Sequence, residues 1–134
     1  MEGGGEDMTD EHYEQLLVER ERGVEGLLRA SNAAGAMGSA LSNPPFACKN
    51  PLIKERSAAV VARAIVALSA KDDVLNVYLQ SLDADTCDTL MKYVVRLCST
   101  ASAQSPLYLR LHGLILEKAG MGCLVRCIVD RRAA

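Results

Sequence analysis

The segment from Pro51 or Leu52 to Ala70 constrains the fold most. Ile53, Val60, Val61, Ala64, Ile65 and Leu68 recur there at the spacing of one helix face, with Lys54, Glu55, Arg56 and Arg63 mostly opposite. A one-sided helix of this length predicts a central core element with other helices laid against it. Hydrophobic residues make up 49% of the chain but aromatics only 4%, and tryptophan is absent, so the core is aliphatic and suits helix packing better than a β-sandwich. No stretch alternates apolar and polar residues, and no Asn-Gly or Asp-Gly pair offers a hairpin turn. The sequence reads as all-α.

The other helices follow from local signals. Thr9 or Asp10 suits an N-cap for Glu11 to Arg22, which places His12, Leu16 and Glu19 on one face and Tyr13, Leu17 and Arg20 beside it, a narrow stripe too polar for a core helix. Two short helices are expected at Val24 to Ala30 and Ala33 to Leu41, with close backbone approach compensating for Gly35 and Gly38. Asn43-Pro44-Pro45 then ends helix formation. Asp72 or Asp73 is expected to cap a helix carrying Leu75, Tyr78, Leu79 and Leu82 on one face. Asp83 caps the next, which buries Cys87, Leu90, Met91, Val94, Val95 and Cys98. Ser105-Pro106 opens a helix with a stripe of Leu107, Leu111, Leu114 and Ile115, and Gly120 closes it. The last helix runs from about Met121 to Arg131 and is expected to bury Leu124, Val125, Ile128 and Val129. The short linkers favour antiparallel pairs, stacked as a bundle or as an α-α superhelix of about six to seven helices.

At 134 residues the chain has the length of one domain. Its charge is uneven: residues 1–25 carry a net −7 and the rest +5. The expected organisation is an acidic N-terminal arm over 1–22, disordered and then helical, followed by a helical superhelix domain over 23–134. The arm is either solvated or steered onto a basic partner surface. The body has no dense Lys/Arg stripe with interleaved aromatics, which gives no support for nucleic-acid binding. No apolar run is long enough to insert in a membrane, and the first residues lack a signal peptide's basic and apolar regions, so a cytosolic chain is expected. The five cysteines are then expected to be reduced.

Little in the sequence can build a reaction centre. Cys98 or Cys123 with His112 would make a thiolate dyad, set against the simpler reading of small buried cysteines and a surface histidine. Cys123 and Cys127 share a helix face, but a zinc site would need two more ligands, with only Cys98 and His112 on offer. Gly120-Met121-Gly122 lacks the strand, glycine pattern and lysine of a phosphate loop. Asp83, Asp85 and Asp88 lack the calcium-loop spacing and read as helix-capping acids. Arg126, Arg131 and Arg132 either contact a partner or line a solvated helix end.

Five landmarks occur in a fixed order: Leu28 with the short helices, Leu41-Ser42-Asn43-Pro44-Pro45, Gln80-Ser81-Leu82-Asp83, Leu90-Met91-Lys92-Tyr93-Val94, and Gly120-Met121-Gly122-Cys123-Leu124-Val125-Arg126. Through them the chain, from about Val24 to Arg132, resembles the family of smallest subunits, subunit five, of the actin-related protein 2/3 complex, which nucleates branched actin filaments. The resemblance implies an α-α superhelix with no catalytic activity and no cofactor. It further implies a structural subunit, cytoplasmic and cytoskeletal at the actin-rich cortex and in cell projections, that docks on the β-propeller subunit, touches subunit four and helps tether an actin-related subunit through its N-terminal arm. The alternative is a free-standing helical adaptor that binds partner peptides. Tyr13, Leu16 and Leu17 are the arm's candidate contacts, and Lys92, Arg126, Arg131 and Arg132 are candidates for partner contact by exposure and charge.

Overall fold

A computed structural model describes residues 9–99 and 104–129 of the chain. The regular elements among them are all helices: α1 (Asp10–Arg29), α2 (Ala33–Leu41), α3 (Pro51–Leu68), α4 (Asp72–Gln80), α5 (Ala84–Cys98), α6 (Ser105–Ala119) and α7 (Met121–Val129). The all-α expectation holds, with seven helices among the described residues. The chain divides into two compact units, Met1–Ala70 and Lys71–Ala134. The expected disorder of the first eight residues lies outside the described residues.

In the first unit α1, α2 and α3 pack on one another. Thr9 caps α1, its hydroxyl accepting from the His12 amide at 3.2 Å. The helix then runs unbroken through Gly23 to Arg29, so the break expected near Arg22 is absent. The physical reason is burial: Tyr13, Leu17, Arg20 and Val24 form one continuous stripe facing the unit's interior, and tertiary packing outweighs the poor helix propensity of Gly23 and Gly26. Leu17 and Val24 are wholly buried, each worth about 1.5–3 kcal/mol. Far from being too polar for the core, α1 supplies part of it.

Ser31 takes a left-handed φ of 60° between α1 and α2. The Asn32 amide donates to Leu27 O at 2.8 Å and the Ser31 amide to Leu28 O at 3.1 Å, which closes the helix end in a Schellman arrangement. Asn32 at once caps α2, accepting from the Gly35 amide at 2.9 Å. Gly38 has open space around it, and a methyl at Gly35 would collide with the capping Asn32 side chain, so neither marks a close helix approach. Gly23 of α1 does, since a methyl there would sit 3.2 Å from Ser39 Oγ of α2. The expected core face of α3, from Ile53 to Leu68, is buried throughout. Asn50 caps that helix, and Pro51 opens it.

In the second unit α5 packs on α6 and α7, α6 on α7, and α4 on α6. Lys71 occupies the N-cap position of α4 without a side-chain bond, so neither Asp72 nor Asp73 caps it. Asp83 does cap α5, accepting from the Thr86 amide at 2.7 Å. Hydrogen bonding from the Thr86 side chain, and then from its amide, holds the Asp83 carboxyl below its ordinary pKa. Cys87, Leu90, Met91 and Val94 are buried as expected, whereas Val95 is exposed and Tyr93 and Leu97 take the inner positions. Gln104, one residue before the expected Ser105, is the N-cap of α6. On α6 the buried stripe is Tyr108, Leu111 and Ile115, with Leu107 and Leu114 only half-buried. Gly120 ends α6 at φ 81° and ψ 173°, a conformation open almost solely to glycine, and its amide closes on Leu116 O at 2.8 Å.

Candidate interaction surface

The acidic stretch of the N-terminal region meets its basic counterpart inside its own unit. Arg56 of α3 donates to Glu21 Oε1 at 2.8 Å and to Glu14 Oε1 at 3.3 Å, reaching two carboxylates two turns apart on α1. Arg63, two turns further along α3, donates to Glu25 Oε2 at 2.5 Å and holds that carboxyl below its usual pKa. Asp10 accepts from Asn50 Nδ2 at 3.2 Å and so ties the start of α1 to the turn before α3. All these side chains are solvent-accessible, so the pairs orient α1 more than they stabilise it.

This arrangement places the arm's candidate contacts. Tyr13 and Leu17 point into the unit, Leu17 with no exposed surface to offer, and Leu16 is half-buried beside them. Arg20, which the sequence presented as one of two cations in an acidic segment, is 6% exposed and donates through Nη2 to Asn43 O at 2.5 Å. A cation seven residues after Tyr13 and three after Leu17, in register with the apolar stripe, was the available signal.

In the second unit Arg126 of α7 makes a two-pronged contact with Asp88 of α5, Nε to Oδ2 at 2.8 Å and Nη2 to Oδ1 at 2.9 Å. That contact depresses the Asp88 pKa, and the charge of Lys92, one turn along α5, lowers it further. Lys92 and Arg126 are thus brought to one carboxylate, with Lys92 half-buried. Arg131 and Arg132 lie outside the described residues. Cys123 is fully buried, its Sγ 3.7 Å from Cys87 O, and burial beside Asp88 pushes its thiol up to about 12. Burial also raises the Cys87 and Cys98 thiols. A nucleophilic thiolate calls for the reverse shift. Among the described residues, no group of three or more His, Cys, Asp or Glu side chains is placed to hold a metal ion.

The feature that the sequence misassigned is the outer face of α7. Val125, Ile128 and Val129 were expected in the core, yet they are 51%, 69% and 70% exposed, with Met121 at 64%. The helix is apolar on two sides. Cys123, with Leu124 and Cys127 half-buried, faces inward, and the stripe of Met121, Val125, Ile128 and Val129 faces out. Helical periodicity finds both stripes but cannot say which one meets the core.

Comparison with known proteins places these features in a family. The family described as ARP2/3 complex 16 kDa subunit (p16-Arc) matches residues 5–134. The chain is 30% identical over 132 residues to actin-related protein 2/3 complex subunit 5 of Dictyostelium discoideum, covering 98% of this chain and 94% of that protein. It is 33% identical to subunit 5A of Arabidopsis thaliana over 112 residues, covering 83% and 82%, and 31% identical to the human subunit 5-like protein over 130 residues, covering 92% and 84%. The chain therefore belongs to the p16-Arc family of ARP2/3 complex subunits.

Proposed function

We propose that the chain is a non-catalytic structural subunit of the actin-related protein 2/3 complex, supporting its assembly and the regulation of branched actin nucleation. The observation that carries this reading is the family match over residues 5–134. Two features of the chain suit it. The hydrogen-bonding side chains described above are spent on caps and interhelical ties, and the outer face of α7 presents aliphatic surface of the kind permanent interfaces cover.

The partners are the β-propeller subunit, subunit four and an actin-related subunit, and the chain works in the cytoplasm at the actin-rich cortex and in cell projections. The N-terminal contact falls on the outward side of α1 around the half-buried Leu16, while Tyr13 and Leu17 act indirectly by fixing that helix on α2 and α3. Lys92, Arg131 and Arg132 supply charge at the contact made by the second unit. Reconstitution of the complex with and without the chain tests the proposal. Omission is expected to leave an incomplete particle with reduced branching, restored by adding the purified chain. Full assembly and branching without it would overturn the reading.

A further inference from the structure

We infer that the cleft between α4 and α6 binds an extended peptide segment of a partner protein, held through its main chain by the side-chain amides of Asn76 and Gln80. This goes beyond the reading of the chain as a subunit of a larger assembly and does not depend on it.

The cleft has a volume of about 350 Å³ and is lined by Asn76, Leu79 and Gln80 of α4 and by Leu114, Glu117 and Lys118 of α6. Its walls are fixed to each other. Lys118 Nζ donates to Gln80 O at 3.0 Å, tying the last turn of α6 to that of α4, so little ordering is left when a segment enters. Leu79, 5% exposed, and the half-buried Leu114 give it an apolar floor. Asn76, Gln80 and Glu117 are exposed, and among the described residues their side chains enter no hydrogen bond or ion pair. The acids and amides that line the α1–α3 contact are, by contrast, used within their own unit.

The spacing of the two amides selects the occupant. A carboxamide offers a donor and an acceptor side by side, the complement of the N–H and C=O that one residue of an extended chain turns to the same edge. Asn76 and Gln80 stand one turn apart on α4, their Cβ atoms about 6 Å from each other. Residues i and i+2 of an extended chain are about 6.6 Å apart and present their edge groups in the same direction. Two alternating residues of a peptide therefore meet the two amides, with an aliphatic side chain laid on Leu79 and Leu114. Glu117 and Lys118 carry opposite charges on one wall, which leaves no net attraction for a nucleic acid or an anionic lipid headgroup.

The test uses the full chain and random heptapeptides displayed on phage, selected on the wild type after depletion on the variant Asn76→Ala/Gln80→Ala. That variant alters only exposed side chains and should melt at the wild-type temperature. A synthetic heptapeptide from the selection is expected to carry an aliphatic residue and to bind the variant at least tenfold more weakly, the scale of two lost hydrogen bonds. N-methylation of either of two alternating peptide residues should weaken binding about tenfold, and N-methylation of the residue between them less than twofold. Amide shifts on binding should concentrate in α4 and α6. Failure to enrich any heptapeptide after the depletion overturns the inference. So do shifts centred on another helix, which would place the peptide elsewhere, and binding indifferent to N-methylation, which would remove the main-chain contact.

Discussion

Arg20 of α1 reaches across the first unit to hold the carbonyl of Asn43, its Nη2 donating at 2.5 Å from a side chain that is almost fully buried. Asn43 is the residue before Pro44-Pro45 and takes a left-handed φ of 46°. A residue preceding proline is normally driven to extended backbone. The guanidinium therefore secures an unfavourable turn that directs the chain from α2 towards α3, and one polar contact links the N-terminal helix to the path of the loop.

Replacing Arg20 by alanine should destabilise the protein by about 2 kcal/mol, the usual scale for a hydrogen bond to a charged group. Urea unfolding measures the loss. Hydrogen exchange should rise in residues 46–50 while the middle of α3 stays protected. Arg20→Lys should recover little, because an ammonium on a different stem cannot reproduce the planar donor. Wild-type stability in Arg20→Ala would mean that the turn holds itself.

Ser31→Gly should stabilise the protein by about 0.5–1 kcal/mol. The left-handed φ of 60° at the end of α1 strains a serine and suits glycine, and the Schellman bonds use only backbone atoms. Thermal unfolding of the pair checks this, and a lowered melting temperature would show that the serine side chain has a role there.

The contact between Asp88 and Arg126 predicts a pH dependence at α7. Because Arg126 lowers the folded-state pKa of Asp88 below its unfolded value, the stabilisation is present above the unfolded value of about 3.9 and is lost as pH falls through the folded one. Amide protection in α7, referenced to the intrinsic exchange rate at each pH, should therefore fall below about pH 4, ahead of α5. Asp88→Asn should show the faster exchange already at neutral pH and lose the acid limb. An unchanged acid limb in Asp88→Asn would assign it to another carboxylate, with Glu25 and Asp83 the nearest candidates by their lowered pKa values.

The Cys123 thiol, pushed up to about 12 and closed off by burial, should resist alkylation in the native protein at pH 8. The half-buried Cys98 and Cys127 should react first, as mass spectrometry of the labelled protein would record. Early modification of Cys123 would mean that α7 detaches from α5 readily.

How much of this was legible depended on whether a signal was local. Caps could be read because they need only a short polar side chain a few residues from the amide it serves, as with Thr9 and Asp83. The core face of α3 could be read because a single stripe admits one orientation. The glycines in α1 suggested a break that packing on α2 and α3 overrode. The charge asymmetry was plain, but not that Arg56 and Arg63 of the same chain would meet Glu14, Glu21 and Glu25, since that requires the α1–α3 register. For α7, with apolar residues on two sides, the pattern left the buried side undetermined, and the contact with Cys87 and Asp88 decides it.

The measurement that bears most directly on the functional reading is affinity purification of the tagged chain from its native cytosol, with co-purifying proteins quantified after a moderate-salt wash. A structural subunit of the actin-related protein 2/3 complex should bring down a β-propeller protein and two actin-related proteins in equal stoichiometry with itself. Recovery of the chain alone, or with unrelated proteins in variable amounts, would show that it does not serve as one.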